Sequence, residues 1–341
     1  MTLPDTMRAL VQLHDGYAGT QTGPDIDDLT PFLALQDVPV PTPSAGQVLI
    51  KVHLAAVNPS DIHFIKGEYG QPRVKGMPAG FEAVGEVVAG DTPLIGHRVS
   101  FFASGSGAWA EYAMTDAARL VPCRADLSET DAAGQLVNPL TAIAMFDIVK
   151  DSGADSFILN AAGSQLGKLL IALGRDHGIK PIAIIRRTEQ AQALKDLGAA
   201  EVIVTGTDDP LGQAQSIFKT LKPRILLDAV GDQFTSDLFF AMPSHARWVN
   251  YGKLSTEEPK LTQLGQMIFM GKQIEGFWLT RWMKQVDPAR IPEAFSEIQK
   301  RFVTGKWTTD VAGIVPLSEA MEKLPKVLAK PDGKAFIDPR G

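Results

Sequence analysis

The feature that most constrains the fold appears after Leu140. There, short apolar stretches begin to alternate with segments of helical periodicity. The candidate strands are residues 157–160, 182–185, 202–204, 225–228 and 248–251. Between the first two, Leu166, Leu169, Leu170 and Leu173 recur at helical spacing, which predicts an amphipathic helix. Continuous apolar strands separated by such helices are typical of a parallel sheet buried on both faces. The sequence therefore predicts a doubly wound α/β domain.

The length of 341 residues favours two domains, because a single hydrophobic core rarely grows that large. Before residue 121 the apolar runs are short and broken by Pro and Gly, as in a β-rich domain. We predict a β-rich catalytic domain made of residues 1–130 and 273–341, and a doubly wound domain of residues 131–272. The polar segment 16–31 has no periodicity, and we predict a surface loop without a chemical role.

Charge and cysteine content exclude several classes of protein. A net charge of -6 without a basic cluster argues against a nucleic-acid partner. Cys123 is the one cysteine, so the chain has no internal disulfide and no zinc site built on several thiolates. No apolar run is long enough to span a membrane, and the first residues lack the pattern of a signal peptide. We expect a soluble, cytoplasmic protein with no membrane partner.

A small-residue turn joins the first predicted strand to the amphipathic helix. The segment 161–167 reads AAGSQLG, and in the Gly-x-Gly-x-x-Gly fingerprint of dinucleotide sites only Gly167 falls on a glycine position. Ala162 and Ser164 occupy the other two positions, and Gly163 is out of register. An ordinary strand-to-helix turn is the alternative. The context of the turn favours binding of a pyrophosphate at the start of the helix. A strand precedes the turn, a helix follows it, and a second strand comes about twenty residues later.

The residues after the second predicted strand indicate which nicotinamide cofactor binds. An NAD site places Asp or Glu there to accept the ribose 2′-hydroxyl, whereas this chain has Arg186 and Arg187. Paired guanidinium groups suit a 2′-phosphate, so NADPH is predicted. The alternative is that both arginines simply belong to a solvated loop.

Three segments resemble the medium-chain dehydrogenase/reductase superfamily. They read VNPSDI at 57–62 with KGEYG at 66–70 and GFEAVGEV at 80–87, then NPLTA at 138–142 with the AAGSQLG turn, then GFWL at 276–279. The last is similar to the trans-2-enoyl thioester reductases more than to the quinone oxidoreductases. The resemblance implies a GroES-like β-rich domain, a Rossmann domain, a cleft between them and a homodimer. The zinc-dependent members carry Cys where Asn58 stands and His where Phe81 stands, so the resemblance implies a zinc-independent enzyme.

The resemblance also assigns candidate roles to individual residues. Tyr69 would donate a hydrogen bond or proton to the substrate, with Asn58 and Trp278 as further catalytic candidates. The predicted cofactor-binding residues are Thr141, Gly163, Ser164, Gln165, Leu166, Gly167, Arg186, Arg187, Tyr251, Gly252, Phe277, Trp278 and Lys334. No residue is predicted to bind a metal.

Each candidate has a structural alternative. Tyr69 could be a half-buried turn residue, Asn58 and Asp61 could form an Asx-turn around Pro59, and Trp278 could be part of a core. Thr141 could cap a helix, and Lys334 could be a solvated terminal lysine. Gln165 and Phe81 depart from the reductase pattern, which has glycine and asparagine there.

The sequence thus predicts an NADPH-dependent reductase of activated carbon–carbon double bonds. Enoyl thioesters of CoA or acyl carrier protein are the first substrate class, and Tyr69 is the donor. One alternative is an NADPH:quinone or enone oxidoreductase. Another is an NADPH-binding sensor without turnover.

Overall fold

The computed structural model describes residues 3–104, 106–329 and 333–341. The chain forms two compact units. The first contains the described residues up to Asn138 together with Phe295–Gly341, and the second is Pro139–Ala294. The domain limits predicted above, after residues 130 and 272, stay predictions.

The strands of the described residues are β1 (Thr6–Gln12), β2 (Leu33–Pro39), β3 (Gln47–Val57), β4 (Glu82–Gly90), β5 (Arg98–Phe102), β6 (Tyr112–Asp116), β7 (Val121–Pro122), β8 (Ser156–Leu159), β9 (Lys180–Ile185), β10 (Glu201–Val204), β11 (Ile225–Asp228), β12 (Arg247–Asn250), β13 (Gln273–Gly276), β14 (Val311–Pro316) and β15 (Lys334–Asp338). The α-helices are α1 (Pro59–Lys66), α2 (Glu129–Ala133), α3 (Val137–Asp151), α4 (Gln165–His177), α5 (Ala191–Leu197), α6 (Pro210–Leu221), α7 (Gln233–Ala241), α8 (Gly265–Phe269), α9 (Leu279–Gln285), α10 (Arg290–Val303) and α11 (Ala320–Leu328).

The first unit is built on a mixed sheet in the order β14-β15-β3-β4-β5-β7, with β6 paired to β3. The carboxyl-terminal strand β15 runs antiparallel to β3, so that Phe336 lies opposite Ala56. This pairing brings Lys334 at the start of β15 close to the end of β3, where the VNPSDI segment at 57–62 begins. The core beneath the sheet includes Trp109 and Phe101, both fully buried.

The segment 16–31 has no helix or strand, but it is not wholly a surface loop. Ile26 and Leu29 are buried and belong to the core of the first unit. The sequence-based prediction of a surface loop was therefore wrong for these two side chains. Their apolar character gave no periodic signal because Ile26 stands between two aspartates and Leu29 stands between Asp28 and Thr30.

The second unit contains, within the described residues, a six-stranded sheet in the order β10-β9-β8-β11-β12-β13. All of its neighbouring pairs are parallel. Numbered from β8, this is the 3-2-1-4-5-6 order of Rossmann domains, and the order reverses between β8 and β11. The predicted doubly wound sheet is confirmed, and the reversal point is where such sheets bind ligands at the carboxyl ends of their strands.

Candidate functional site

The turn between β8 and α4 is the first part of the candidate cofactor site in the second unit. The hydroxyl of Ser164 accepts a hydrogen bond from the N–H of Gly167 at 3.1 Å, so it caps the amino end of α4. Ala161 has a left-handed φ of 47°, a conformation that residues other than glycine rarely adopt. This residue turns the chain between the end of β8 and the start of α4 at Gln165, and the first N–H groups of such a helix are a site where anions bind.

Gly167 fits the third position of the dinucleotide fingerprint by its packing. A Cβ on this residue would lie 2.5 Å from the carbonyl oxygen of Ala162 and 2.7 Å from its Cα. Only a glycine allows helix and strand to approach this closely. Gly163 differs, because an added Cβ would meet only the side chain of Gln190, with Oε1 at 2.0 Å. Gln165 and Leu166 are the first two residues of α4. Gln165 is half-buried and Leu166 is buried.

Arg186 and Arg187 lie directly after β9, and both are exposed. Strand β9 is the neighbour of β8 on the side away from the reversal point. This is where a dinucleotide fold places the ribose of the adenosine half. The residues of the turn, of α4 and of this arginine pair therefore fit a dinucleotide with a 2′-phosphate.

A buried polar cluster, which we call the Asp228 cluster, joins the carboxyl ends of three strands. The Asp228 carboxylate accepts hydrogen bonds from Asn160 Nδ2, from Trp248 Nε1 at 2.7 Å and from Asn250 Nδ2 at 2.8 Å. Asn160 also accepts from the N–H of Ala229 at 2.7 Å. Asn160 follows β8 and Asp228 ends β11, so the hydrogen bond between Asn160 Nδ2 and the Asp228 carboxylate spans the reversal point of the sheet.

Tyr251 and Gly252 follow β12 next to this cluster. The N–H of Tyr251 donates to the carbonyl of Asp228 at 2.8 Å, and a Cβ on Gly252 would lie 2.7 Å from the carbonyl oxygen of Ala229. Burial, and then the charge of Asp228, raise the pKa of the Tyr251 hydroxyl above its ordinary value. The hydroxyl therefore stays protonated, and Gly252 keeps the chain close to the end of β11.

Thr141, Phe277 and Trp278 also belong to the second unit. Thr141 lies inside α3 and is buried, so it does not cap that helix as the structural alternative proposed. Phe277 donates its N–H to the carbonyl of Asn250 at 2.7 Å, which fixes the chain where β13 ends. Phe277 and Trp278 are both half-buried, and Trp278 stands at the amino end of α9.

Tyr69 belongs to the first unit, where its ring packs against two phenylalanines. The ring centroid lies 5.3 Å from that of Phe81 and 6.5 Å from that of Phe64. Phe64 and Phe81 are themselves 5.0 Å apart, so the three rings form one aromatic group. Tyr69 remains half-buried. A side chain held in this way has its hydroxyl direction restricted by packing.

A second polar cluster, which we call the Glu82 cluster, lies in the first unit and consists of Asn58, Asp61, Glu82 and Lys334. Lys334 Nζ lies 3.2 Å from Glu82 Oε1 and donates to Asn58 Oδ1, while Asn58 Nδ2 donates to Glu82 at 2.8 Å. All four residues are buried. The interpretation of Lys334 as a solvated terminal lysine was therefore wrong, because β15 carries it into the interior.

Asp61 completes this cluster from helix α1. Its carboxylate accepts from the N–H of Asn58 at 2.8 Å, which closes the first turn of the helix, and from the N–H of Phe81 at 2.8 Å. Burial, and to a smaller extent the charge of Glu82, raise the pKa of Asp61 to about 7 despite opposing hydrogen bonds and Lys334. Asn58 and Asp61 therefore form the capping box at the start of helix α1.

Sequence reasoning assigned no role to Asp228, Glu82 or Glu68. Asp228 was visible as the one acidic residue that ends a predicted apolar strand, and Glu82 as an acidic residue followed by an apolar run. Such carboxylates must find donors when buried, and this was the signal available. Apart from the N–H groups of Val230 and Gly231, which donate to Asp228, the donors named here come from distant parts of the chain, which no local pattern reveals.

Two features of the described residues bear on the membrane and metal classes considered above. Within residues 3–104, 106–329 and 333–341, no helix combines the length and apolar character of a membrane span. In the same residues, no group of three or more His, Cys, Asp and Glu side chains is arranged to hold a metal ion.

Comparison with known proteins identifies the family. Residues 44–125 match the profile of the alcohol dehydrogenase GroES-like domain, and residues 166–300 match that of the zinc-binding dehydrogenases. The chain is 31% identical to the mitochondrial enoyl-[acyl-carrier-protein] reductase of Caenorhabditis elegans, over 86% of this chain and 87% of that protein. It is 29% identical to the corresponding protein of Bos taurus, over 93% and 84%.

A solved structure is closer. A candidate NADPH:quinone reductase from Mesorhizobium loti is 47% identical, with a TM-score of 0.95 and coverage of 99% of this chain and 100% of that one. The fold and the matches define an oxidoreductase with a GroES-like domain and a Rossmann domain. The chain belongs to the medium-chain dehydrogenase/reductase superfamily, in its zinc-independent branch. The predicted family, fold class and enzyme class are confirmed.

The residues present do not fit the zinc that the second profile's description implies. The positions of the superfamily's Cys and His ligands hold Asn58, whose amide is engaged in the Glu82 cluster, and Phe81, whose ring packs on Tyr69. Cys123 lies 3.2 Å from Ser100 Oγ, and burial raises the pKa of its thiol, which disfavours the thiolate that binds metal.

Proposed function

We propose that this enzyme reduces the activated carbon–carbon double bond of a trans-2-enoyl thioester carried on CoA or acyl carrier protein. The observation that carries the proposal is the aromatic group of Phe64, Tyr69 and Phe81, which holds one hydroxyl in a motif similar to that of the enoyl thioester reductases. The curated relatives named above are enoyl-[acyl-carrier-protein] reductases. Both observations support the same substrate class.

NADPH is the cofactor, as predicted from the sequence, and when bound it supplies a hydride for the β-carbon of the substrate. Ser164, Gly167 and the first N–H groups of α4 would hold its pyrophosphate, and Arg186 with Arg187 would hold its 2′-phosphate. Thr141, Tyr251, Gly252, Phe277 and Lys334 stay predicted as further cofactor-binding residues. Of these residues, Lys334 has its ammonium paired to the carboxylate of Glu82.

Tyr69 would act on the charge that forms on the substrate. Addition of hydride to the β-carbon leaves an enolate, and the Tyr69 hydroxyl donates a hydrogen bond to its oxygen. A proton delivered to the α-carbon by Tyr69 or by water then completes the saturated thioester. Trp278 would line the acyl pocket. Asn58, whose amide is engaged in the Glu82 cluster, would position the motif and not touch the substrate.

The test uses Tyr69→Phe with Tyr112→Phe as the matched control, because Tyr112 is a half-buried tyrosine of the same unit that lies in β6, outside the motif. NADPH oxidation is followed with crotonyl-CoA. We expect Tyr69→Phe to lower kcat/KM by about 100-fold or more, the usual size of a lost proton or oxyanion donor, while Tyr112→Phe stays at the wild-type value. Full activity of Tyr69→Phe with crotonyl-CoA would remove the proposal.

A second candidate function is reduction of quinones or enones. It is favoured by the 47% identity to the Mesorhizobium loti protein and by Phe81, which stands where the enoyl reductases have asparagine. A quinone needs no thioester pocket, and a phenyl ring against Tyr69 offers it an apolar surface. The same assay with a simple quinone and with an unsaturated ketone separates the two functions. Preference for the quinone by Tyr69→Phe and wild type alike would favour this second function.

We also propose a homodimer that forms through the edge of the Rossmann sheet. In the described residues β13 is the last strand of that sheet, and the neighbouring helix α8 carries Ile268 at 77% exposure and Phe269 at 86%. An open strand edge beside exposed apolar side chains favours association. A second copy, rotated by a two-fold axis, could continue the sheet by antiparallel pairing of β13 with itself.

The cellular compartment stays a prediction. The sequence favoured the cytoplasm, whereas the curated relatives are mitochondrial proteins by name.

A further inference from the structure

The segment 16–25, to which the sequence assigned no role, is fixed to the motif that carries Tyr69. Lys66, the last residue of α1, is buried, and its ammonium donates to the carbonyl of Gly23 at 2.6 Å and to that of Asp25 at 3.0 Å. A buried ammonium needs such acceptors, because an unpaired one costs much free energy. The backbone of the segment supplies them.

Glu68 holds the same segment with the opposite charge. Its Oε1 accepts from the N–H of Thr22 at 2.7 Å and from the hydroxyl of Thr22 at 2.8 Å, and its Oε2 accepts from the N–H of Gly23 at 3.1 Å. His63 Nδ1 lies 3.4 Å from the same oxygen. The Glu68 side chain is only 4% exposed. Burial raises its pKa, but these donors and Lys66 outweigh burial, so the pKa lies below its usual value and the group is ionised.

Gly67, between these two residues, permits the close approach. Its φ of 78° is left-handed, and a Cβ there would lie 2.7 Å from the backbone nitrogen of Ala18 and 2.6 Å from the guanidinium carbon of Arg73. The N–H of Ala18 donates to the carbonyl of Gly67 at 2.9 Å. The three residues that precede Tyr69, at 66, 67 and 68, are thus each bound to the segment 16–25.

We propose that Glu68 is a positioning residue for Tyr69, and that it acts by holding the segment 16–25 against the motif. The proposal rests on the proposed role of Tyr69. Packing on Phe64 and Phe81 fixes the ring of Tyr69, and Glu68 fixes the backbone from which the ring extends. A hydrogen-bond donor in catalysis is effective only when held in place, since a displacement of about 1 Å can cost 100-fold in rate.

The test compares Glu68→Gln and Thr22→Val with Asp28→Asn. Gln keeps the size of Glu68 but turns an amide donor toward the N–H of Gly23, and Thr22→Val removes one donor with little change in shape. Asp28 is the matched control: it accepts from the N–H and hydroxyl of Thr30 at 2.8 and 2.7 Å just after the segment, at an exposed site away from Glu68. The reaction is NADPH with crotonyl-CoA.

We expect Glu68→Gln to lower kcat by about 10-fold and Thr22→Val by a smaller factor, with the KM for NADPH unchanged and Asp28→Asn at the wild-type rate. In a Tyr69→Phe background, Glu68→Gln should cause no further loss of kcat, because it acts through that hydroxyl. A loss that persists in this background, or wild-type kcat in both Glu68→Gln and Thr22→Val, would overturn the proposal. If Tyr69→Phe alone keeps full activity, the proposed function fails instead. If Glu68→Gln does not fold, Thr22→Val alone decides.

Discussion

The ammonium of Lys334 lies 3.2 Å from the carboxylate of Glu82, and the two side chains are 3% and 0% exposed. Strand β15 brings the lysine to the amino end of β4, although the two residues are far apart in the sequence. Glu82 further accepts from the backbone N–H groups of Leu136 and Val137, at 3.0 and 2.8 Å. The pair is therefore the centre of a network that joins remote parts of the first unit.

Removal of one member of this pair should destabilise the fold strongly. We expect Lys334→Met or Glu82→Gln to lower the free energy of unfolding by about 3–5 kcal/mol, because each leaves an unpaired buried partner. The double variant should lose less than the sum of the two. Urea denaturation followed by tryptophan fluorescence measures this. Glu322→Gln, in the exposed pair with Lys326, is the control and should change little, and additive losses would contradict the expectation.

Asp61 should make stability depend on pH. Its pKa is raised from 3.8 to about 7 in the folded protein, so between these values the folded state keeps a proton that the unfolded chain releases. The contribution of Asp61 to stability therefore falls as the pH rises through this window, and the loss is complete above about pH 7. Asp61→Asn should show a smaller drop in unfolding free energy from about pH 5 to about pH 8 than wild type. An unchanged drop would show that Asp61 does not titrate there.

The two glycines of the phosphate turn should respond differently to alanine. Gly167→Ala places a Cβ against the backbone of Ala162, which cannot retreat, and we expect a loss of about 1–3 kcal/mol in stability and weaker NADPH binding. Gly163→Ala meets only the end of the Gln190 side chain, which can rotate, so its stability should stay near that of wild type. Thermal unfolding with and without NADPH measures both effects. Equal losses would contradict the packing argument.

The arginine pair should determine the choice of cofactor. We expect Arg186→Glu with Arg187→Glu to weaken NADPH binding by about 10-fold or more while NADH binding changes much less, because only NADPH carries the 2′-phosphate. Lys195→Glu with Lys219→Glu is the control, since it makes the same change in net charge at two exposed sites of the same unit. Quenching of tryptophan emission gives both dissociation constants. Equal weakening of both cofactors would count against a 2′-phosphate site.

The apolar surface of α8 should control oligomerisation. We expect Phe269→Glu to convert a dimer into a monomer in sedimentation velocity, because a charge in the core of an interface costs more than it does in water. Ile95→Glu changes an exposed apolar residue of the first unit and should leave the oligomeric state unchanged. A wild-type protein that is already monomeric at high concentration would remove the proposal.

The parallel sheet could be predicted because its strands are short, apolar and separated by helices of clear periodicity. Residues 225–228 coincide with strand β11, and the others differ from the observed strands only at their ends. The phosphate turn was predictable for the same reason, since strand, turn and helix are adjacent in the chain.

The polar clusters could not be predicted in this way. Lys334 looks solvated because its neighbours at 332–333 are Asp and Gly, and only the pairing of β15 with β3 places it beside Glu82. Thr22 and Glu68 likewise meet across 46 positions of sequence. Contacts of this kind depend on the tertiary fold, which local periodicity does not encode.

The Asp228 cluster has an electrostatic consequence for any ligand of the Rossmann sheet. The Asp228 carboxylate accepts hydrogen bonds from neutral amide, indole and backbone donors, and its charge acts on Tyr251 beyond the carboxyl end of β12. A phosphate approaching this edge is repelled on that side and attracted by the partial positive charge at the start of α4. We therefore expect a dinucleotide to approach with its phosphates toward the start of α4 and away from Asp228.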